Sequence, residues 1–240
     1  MNTMRALLDS GTPLVAVSFG DDDSEQAAKE ALTLGVDVAE LRIDRFSRTD
    51  MGHVLEQVHA FRGLPILATV RSANEGGGWS GTEEERLELF RGVASLVDAV
   101  DVELSSHEIL ADVIGSAHEH GALAIVSHHN FDNTPELDEL KAVVRDAKDA
   151  GADIVKVSTM ATTGADVKVL ASLLLDAGDT EMIVIAMGAI GTASRIFFPA
   201  LGSRLTYTFI GHQPTSGQLD FAETVGLLRK FYPDYDRRRR

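Results

Sequence analysis

The stretch with the most chemistry in it is Asp153-Ile-Val-Lys-Val-Ser158. A short β-branched run of this kind is the pattern of a strand buried on both faces of a parallel sheet, and it carries one lysine, Lys156, in its middle. Burial disfavours the charged form of an amine and so supplies a nucleophile. A desolvated lysine suits a carbonyl substrate, through a Schiff base. The plainer alternative is a strand-end lysine that snorkels to solvent or pairs with an acid. The iminium that a Schiff base forms acidifies the neighbouring carbon. A histidine can take that proton and later protonate a leaving group, and His128 and His129 end another apolar run. Acids and arginines stand at the ends of further runs: Glu40, Arg42 and Asp44, then Arg71 and Glu75, then Asp101 and Glu103, with Arg195 after Met187. Period two puts Glu40, Arg42 and Asp44 on one face and Leu41 and Ile43 on the other. Three charges facing a barrel interior must be paired. Arginines suit a substrate carboxylate by bidentate pairing. Taken singly, the alternating charges read as a structural ion-pair network, the two histidines as one buried and one solvated, and Met187 as core packing. Their shared position at the same end of nearly every apolar run argues for a site.

The elements that must hold these residues follow from the pattern. Strands are expected at Leu14 to Phe19, Val36 to Ile43, Leu64 to Val70, Ala99 to Leu104, Ala122 to Ser127, Asp153 to Val157, Met182 to Met187 and Leu205 to Ile210. Helices are expected at Ser24 to Leu34, Thr49 to Phe61, Thr82 to about Val97, Ser105 to Glu119, Pro135 to Ala150, Ala165 to Leu175, Ser194 to Leu201 and Gln218 to Phe231. Thr82-Glu-Glu-Glu85 fits a capping box. Eight alternating units in 240 residues, with no Pro/Ser-rich linker, favour one (β/α)8 TIM barrel over an open doubly wound sheet. The first turn also lacks Gly-x-Gly-x-x-Gly, which weakens a dinucleotide reading. Gly188-Ala-Ile-Gly191 has the composition of a phosphate cradle, though two glycines specify little.

Composition narrows the classes. Formal net charge is −15, which argues against nucleic acid and anionic membranes as partners. No apolar run approaches membrane-spanning length, and the N-terminus lacks a signal-peptide pattern, so a cytoplasmic protein is expected. There is no cysteine, hence no disulfide, thiolate nucleophile or thiolate metal site. Only six lysines stand against many acids, which points to a surface suited to high salt. His118-Glu-His120 sits near a helix end, where imidazolium favours the dipole, and lacks a third ligand at metal-site spacing. No metal or cofactor is expected. The tail from about 232 to 240 is expected to be disordered.

Together the motifs resemble type I 3-dehydroquinate dehydratase. The matching stretches are Glu40-Leu-Arg-Ile-Asp44, Thr69-Val-Arg-Ser-Ala-Asn-Glu-Gly-Gly77, Asp101-Val-Glu-Leu104, Ser127-His-His-Asn-Phe131 with Thr134-Pro135, Asp153-Ile-Val-Lys156, Met187 to Arg195, and Gly217-Gln218, in the family's order over nearly the whole chain. The resemblance implies syn elimination of water from 3-dehydroquinate to give 3-dehydroshikimate. Lys156 looks like its Schiff-base lysine, His129 its base and acid, and Glu75 the acid that bonds that histidine. Arg195 looks like the carboxylate clamp, Glu40, Arg42, Arg71 and Gln218 further substrate contacts, and Met187 a pocket wall. Asp101 aligns with a motif acid read as supporting. The sequence departs from the family at Asn130, usually aspartate, and at Pro214, where a substrate-contacting serine usually stands; Thr215 or Ser216 is expected to supply that hydroxyl. Family members are often dimers, so a homodimer is expected. The rival readings are a class I aldolase on the same barrel and a non-catalytic barrel that only binds.

Overall fold

The β-branched runs form eight parallel strands: β1 Leu14–Phe19, β2 Val38–Arg42, β3 Ile66–Thr69, β4 Ala99–Glu103, β5 Leu123–Asn130, β6 Ile154–Met160, β7 Met182–Met187 and β8 Leu205–Thr208. The structure is a computed structural model that describes residues 3–211 and 217–236. α1 Met4–Asp9 precedes β1, α9 Phe221–Phe231 follows β8, and between the strands run α2 Ser24–Leu34, α3 Met51–Ala60, α4 Glu83–Val93, α5 Leu110–Glu119, α6 Leu137–Asp149, α7 Gly164–Leu175 and α8 Ser194–Phe197. The ladder order is β7-β6-β5-β4-β3-β2-β1-β8. Where β7 meets β8 no ladder forms among the described residues; the bridge Met182↔Ser203 joins them, with Arg204 N donating to Met182 O at 2.9 Å and Val184 N to Ser203 Oγ at 3.0 Å. The result is a nearly closed (β/α)8 barrel.

Alternation along each strand sorts the apolar residues into two cores. Outward residues such as Val15, Leu41, Val70, Val102, Val126 and Val157 pack under the helices. Inward residues Leu14, Val38, Leu67, Ala99, Leu123, Ile154, Ile183 and Leu205 fill the lower barrel. The base is plugged by α1, which the sequence reading does not anticipate. Its Met4, Leu7 and Leu8 join the inner core, and Met4 N donates to Asp98 Oδ1 at 3.0 Å. Higher in the barrel the inward positions turn polar, and there the site lies.

Several boundaries differ from expectation for local reasons. β5 runs on to Asn130 because His129 and Asn130 pair with Ser158 and Thr159 of β6. α5 begins at Leu110 rather than Ser105, since the hydroxyls of Ser105 and Ser106 are engaged by Glu75 and Glu103. The capping box at Thr82 and Glu85 forms as expected. The expected disordered tail is corrected for 232–236: Tyr235 is fully buried in the outer core, and its N–H donates to Tyr232 O. Residues 237–240 lie outside the described residues. The Gly191 N–H is already engaged, donating to Gly188 O at 3.0 Å. A Cβ there would stand 2.1 Å from Ala186 O, so the glycine serves close backbone packing.

Candidate active site

Nine of the expected site residues meet around one cavity of about 350 Å³ at the C-terminal mouth of the barrel: Glu40, Arg42, Arg71, Glu75, His129, Lys156, Met187, Arg195 and Gln218. Thr215 and Ser216 lie outside the described residues. His128, one position before His129, does not line the cavity.

Lys156 stands on β6 and is buried. Its Nζ donates to Asp101 Oδ2 at 2.8 Å, lies 3.9 Å from Glu40 Oε1, and sits 4.6 Å over the Tyr207 ring. Two carboxylates and an aromatic face thus surround the amine. Both sequence readings meet here, since the lysine pairs with an acid and still reaches the cavity. Asp101, on β4, does not line the cavity and holds the amine from beneath. Burial alone would push the Asp101 carboxyl up, but Arg71 and Lys156 outweigh it and keep it well below the usual carboxylate range.

Arg71 is the hub of the polar layer. Its NH2 donates to Asp101 Oδ1 at 2.7 Å, and its NH1 to Glu103 Oε1 at 3.0 Å and Ser127 Oγ at 2.7 Å. Burial opposes its charge, yet the facing acids hold it more firmly protonated than an ordinary arginine. Glu40 accepts from Thr69 Oγ1 at 3.1 Å and from Ser18 Oγ. Arg42 makes a two-bond fork to Asp44 at 2.9 and 2.7 Å, so the third charge of its face is neutralised by the first turn beyond the strand.

His129 is oriented by Glu75. One carboxylate oxygen, Oε2, accepts both the His129 backbone N–H and ring Nδ1, each at 2.9 Å, while Oε1 accepts Ser105 Oγ at 2.5 Å. A carboxylate only accepts, so the network assigns the proton to Nδ1 and leaves the Nε2 lone pair free. Burial, then the charges of Arg71 and Lys156, push the imidazole well below its usual 6.5. The ring is thus a neutral base. Burial also raises Glu75, against the pull of Ser105 and Arg71. The loop that carries Glu75 is fixed by glycine: Gly76 has φ 76°, and a Cβ on Gly77 would lie 1.9 Å from Arg71 O.

Arg195 differs from the other arginines. It is buried, and among the described residues no acid lies within ion-pair distance. Its Nε donates to Gly217 O at 2.7 Å and its NH1 to Tyr207 O at 3.3 Å. Burial without a counter-charge pushes it down to about 10. A desolvated, uncompensated guanidinium at a cavity wall is a seat for an anion.

Sequence reasoning missed Ser18, Arg45 and Phe131, which also line the cavity. Phe131 stacks on His129 with ring centroids 6.3 Å apart. The histidines at 118 and 120 are occupied elsewhere, His118 by Asp153 and His120 by Ser116 O. Among the described residues no helix is long and apolar enough to cross a membrane.

A (β/α)8 barrel with an amine, a neutral imidazole and an unpaired guanidinium around one small cavity is laid out as an acid–base enzyme acting on a small molecule. The comparisons sharpen this. A family model described as type I 3-dehydroquinase matches residues 13–234. The 3-dehydroquinate dehydratase of Methanosarcina barkeri is 36% identical over 232 residues, which are 92% of this chain and 95% of that protein. The crystal structure of the 3-dehydroquinate dehydratase from Aquifex aeolicus superposes with a TM-score of 0.83 at 33% identity, covering 91% of this chain and 99% of that one. A type I 3-dehydroquinate dehydratase structure from Clostridium difficile, with covalently modified comenic acid, gives 0.88 at 27% identity over 93% and 94% of the two chains. The chain belongs to the type I 3-dehydroquinase family, and it is a lyase.

Proposed function

We propose that this enzyme dehydrates 3-dehydroquinate to 3-dehydroshikimate through a Schiff base on Lys156. The observation that carries the reading is the joint placement of Lys156, neutral His129 and unpaired Arg195 on one cavity. Arg195 receives the substrate carboxylate. The Lys156 amine adds to the ketone carbon, and loss of water gives the iminium. His129 Nε2 takes a proton from the adjacent carbon, and the electron pair moves into the enamine. The pair then returns, the β-hydroxyl departs, and the proton on Nε2 leaves with it as water. Hydrolysis of the iminium by solvent releases product and restores the amine. One imidazole serving both steps from one side accounts for a syn course. Glu40, Arg42, Arg71 and Gln218 bind substrate oxygens, and Met187 closes a wall. Covalent modification of comenic acid in the C. difficile relative supports a site that bonds small organic acids. A class I aldolase would want a backbone phosphate grip near β7 and β8; the Gly191 N–H there is taken by Gly188 O, while Arg195 suits a carboxylate.

The same reading includes a cytoplasmic, salt-adapted homodimer. Ile190, Phe197 and Phe231 are 48, 53 and 62% exposed, an apolar surface on which two highly acidic copies can meet. Light scattering of the purified protein tests the dimer.

Sodium borohydride with 3-dehydroquinate, followed by peptide mass spectrometry, tests the chemistry. A reduced adduct on Lys156 is expected. Product formed without an adduct would overturn the imine mechanism, and absence of both would return the aldolase or binding reading.

A further inference from the structure

We infer that Arg86, on the helix layer outside the barrel, is a positioning residue that fixes Arg71 and the Lys156–Asp101 pair through Glu103; this rests on the dehydratase reading above. Arg86 lies in α4 with no exposed surface. Its Nε donates to Val70 O at 2.8 Å, and its NH1 to both oxygens of Glu83 at 2.9 and 3.0 Å and to Ser106 Oγ at 3.2 Å. Its NH2 donates to Glu103 Oε2.

Glu103 is held by four donors. Oε1 accepts Arg71 NH1 at 3.0 Å and Ser72 N at 2.9 Å, while Oε2 accepts Arg86 and Ser106 Oγ at 2.9 Å. It cannot rotate without breaking bonds at both ends. Neither Arg86 nor Glu103 lines the cavity, so substrate contact does not explain their burial. Packing does not explain it either. Arg86 shares its helix face with Leu89, Phe90 and Val93, and an apolar residue of similar volume commonly serves a buried face as well as an ion pair does.

The charges do continue inward, alternating in sign: Arg86, Glu103, Arg71, Asp101, Lys156. Without Arg86, Glu103 keeps a single cationic partner and draws Arg71 toward itself, away from Asp101. Asp101 then has less to hold apart from Ser127 and Lys156, and it engages the amine more tightly. The step that should suffer is attack of that amine on the ketone. Substrate binding should suffer less than the chemical step, because Arg71 is one substrate contact among several and Arg195 and Gln218 lie outside this chain of contacts.

The test compares wild type, Arg86→Met, Arg86→Lys, Glu103→Gln and the Arg86→Met/Glu103→Gln double variant. Thermal melting, kcat, KM for 3-dehydroquinate and the rate of borohydride trapping are measured for each. A side-chain displacement near 1 Å is worth about 10²-fold in rate, so Arg86→Met should lower kcat about 10- to 100-fold. KM should rise by less than kcat falls, since only the Arg71 contact is disturbed, and trapping should slow in parallel with kcat. The double variant should fall no further than the worse single variant, as expected for residues acting through one another. Arg86→Lys keeps the charge and is the variant that serves if Arg86→Met does not fold. It lacks the fork that reaches Val70, Glu83 and Glu103 together, and it should still lose kcat about 3- to 10-fold. Wild-type kcat and trapping in a folded Arg86→Met, or in Arg86→Lys, with only the melting temperature lowered, would overturn the inference. Additive losses in the double variant would overturn the route through Glu103. Failure of the wild-type enzyme to dehydrate 3-dehydroquinate would instead remove the functional reading beneath it.

Discussion

Replacing Arg195 with methionine should make the protein more stable and a poorer enzyme. Burial holds this guanidinium at about 10 against the usual 12.5. At about 1.4 kcal/mol per tenfold change in proton affinity, keeping the charged form folded at neutral pH costs about 3 kcal/mol relative to the unfolded chain. Two hydrogen bonds to carbonyls, at 2.7 and 3.3 Å, offset part of this, at about 1 kcal/mol each. Methionine removes the charge and the bonds but fills much of the same space. The net gain should be about 1 kcal/mol, read as about 2–4 °C in melting temperature for a chain this long. Catalysis moves the other way. Losing one partner of a desolvated carboxylate pair costs about 2–5 kcal/mol, or about 30- to 5000-fold in kcat/KM, carried mainly by KM. The assay is melting with and without 3-dehydroshikimate, alongside steady-state kinetics. Wild type should be stabilised by the ligand and the variant should not. A variant that melts below wild type and still gains stability from the ligand would refute the argument that Arg195 is an uncompensated charge awaiting an anion.

Further expectations concern the imidazole and the surface. His129→Ala should still form the imine but stall at proton transfer, whereas His128→Ala should turn over near the wild-type rate; the reverse result in trapping and kinetics would mean the wrong histidine has been assigned. Because His129 is held below 6.5, the unfolded chain binds a proton that the folded one refuses as pH falls below 6.5. Stability should therefore decline on the acid side, by up to about 1.4 kcal/mol per pH unit in denaturant titrations, with the raised carboxyl of Glu75 offsetting part of it once that group protonates. The acid limb of kcat/KM should lie below 6.5, since the base stays neutral there. With a net charge of −15, melting temperature and activity should rise from dilute buffer to molar salt; equal values in both would dismiss the salt-adapted reading.

The strands were legible because a parallel barrel buries both faces, so β-branched runs stand out, and the polar residues at their ends could be ordered around a mouth before any geometry was known. What was hidden is what depends on distance across the ring. Asp101 could be placed on a face but not against Lys156, since 55 residues separate them. Phe131 joins the site only because β5 runs three residues past its apolar stretch. Arg86 did leave a trace: it interrupts the apolar stripe of α4 formed with Leu89, Phe90 and Val93, and a charge in such a stripe must find a buried partner. The plug α1 left less, being a single short helix whose role appears only once the barrel has a floor to close.

The seam between β7 and β8 has a mechanical consequence. At the base the hoop is joined by one backbone bridge; at the mouth it is joined by Arg195, which reaches from α8 to the carbonyls of Tyr207 and Gly217. The barrel is in effect a split ring, and on the proposed dehydratase reading its upper clasp is also the seat of the substrate carboxylate. On that reading a bound carboxylate would hold the clasp in place, and amide exchange along β7 and β8 should slow as the site fills.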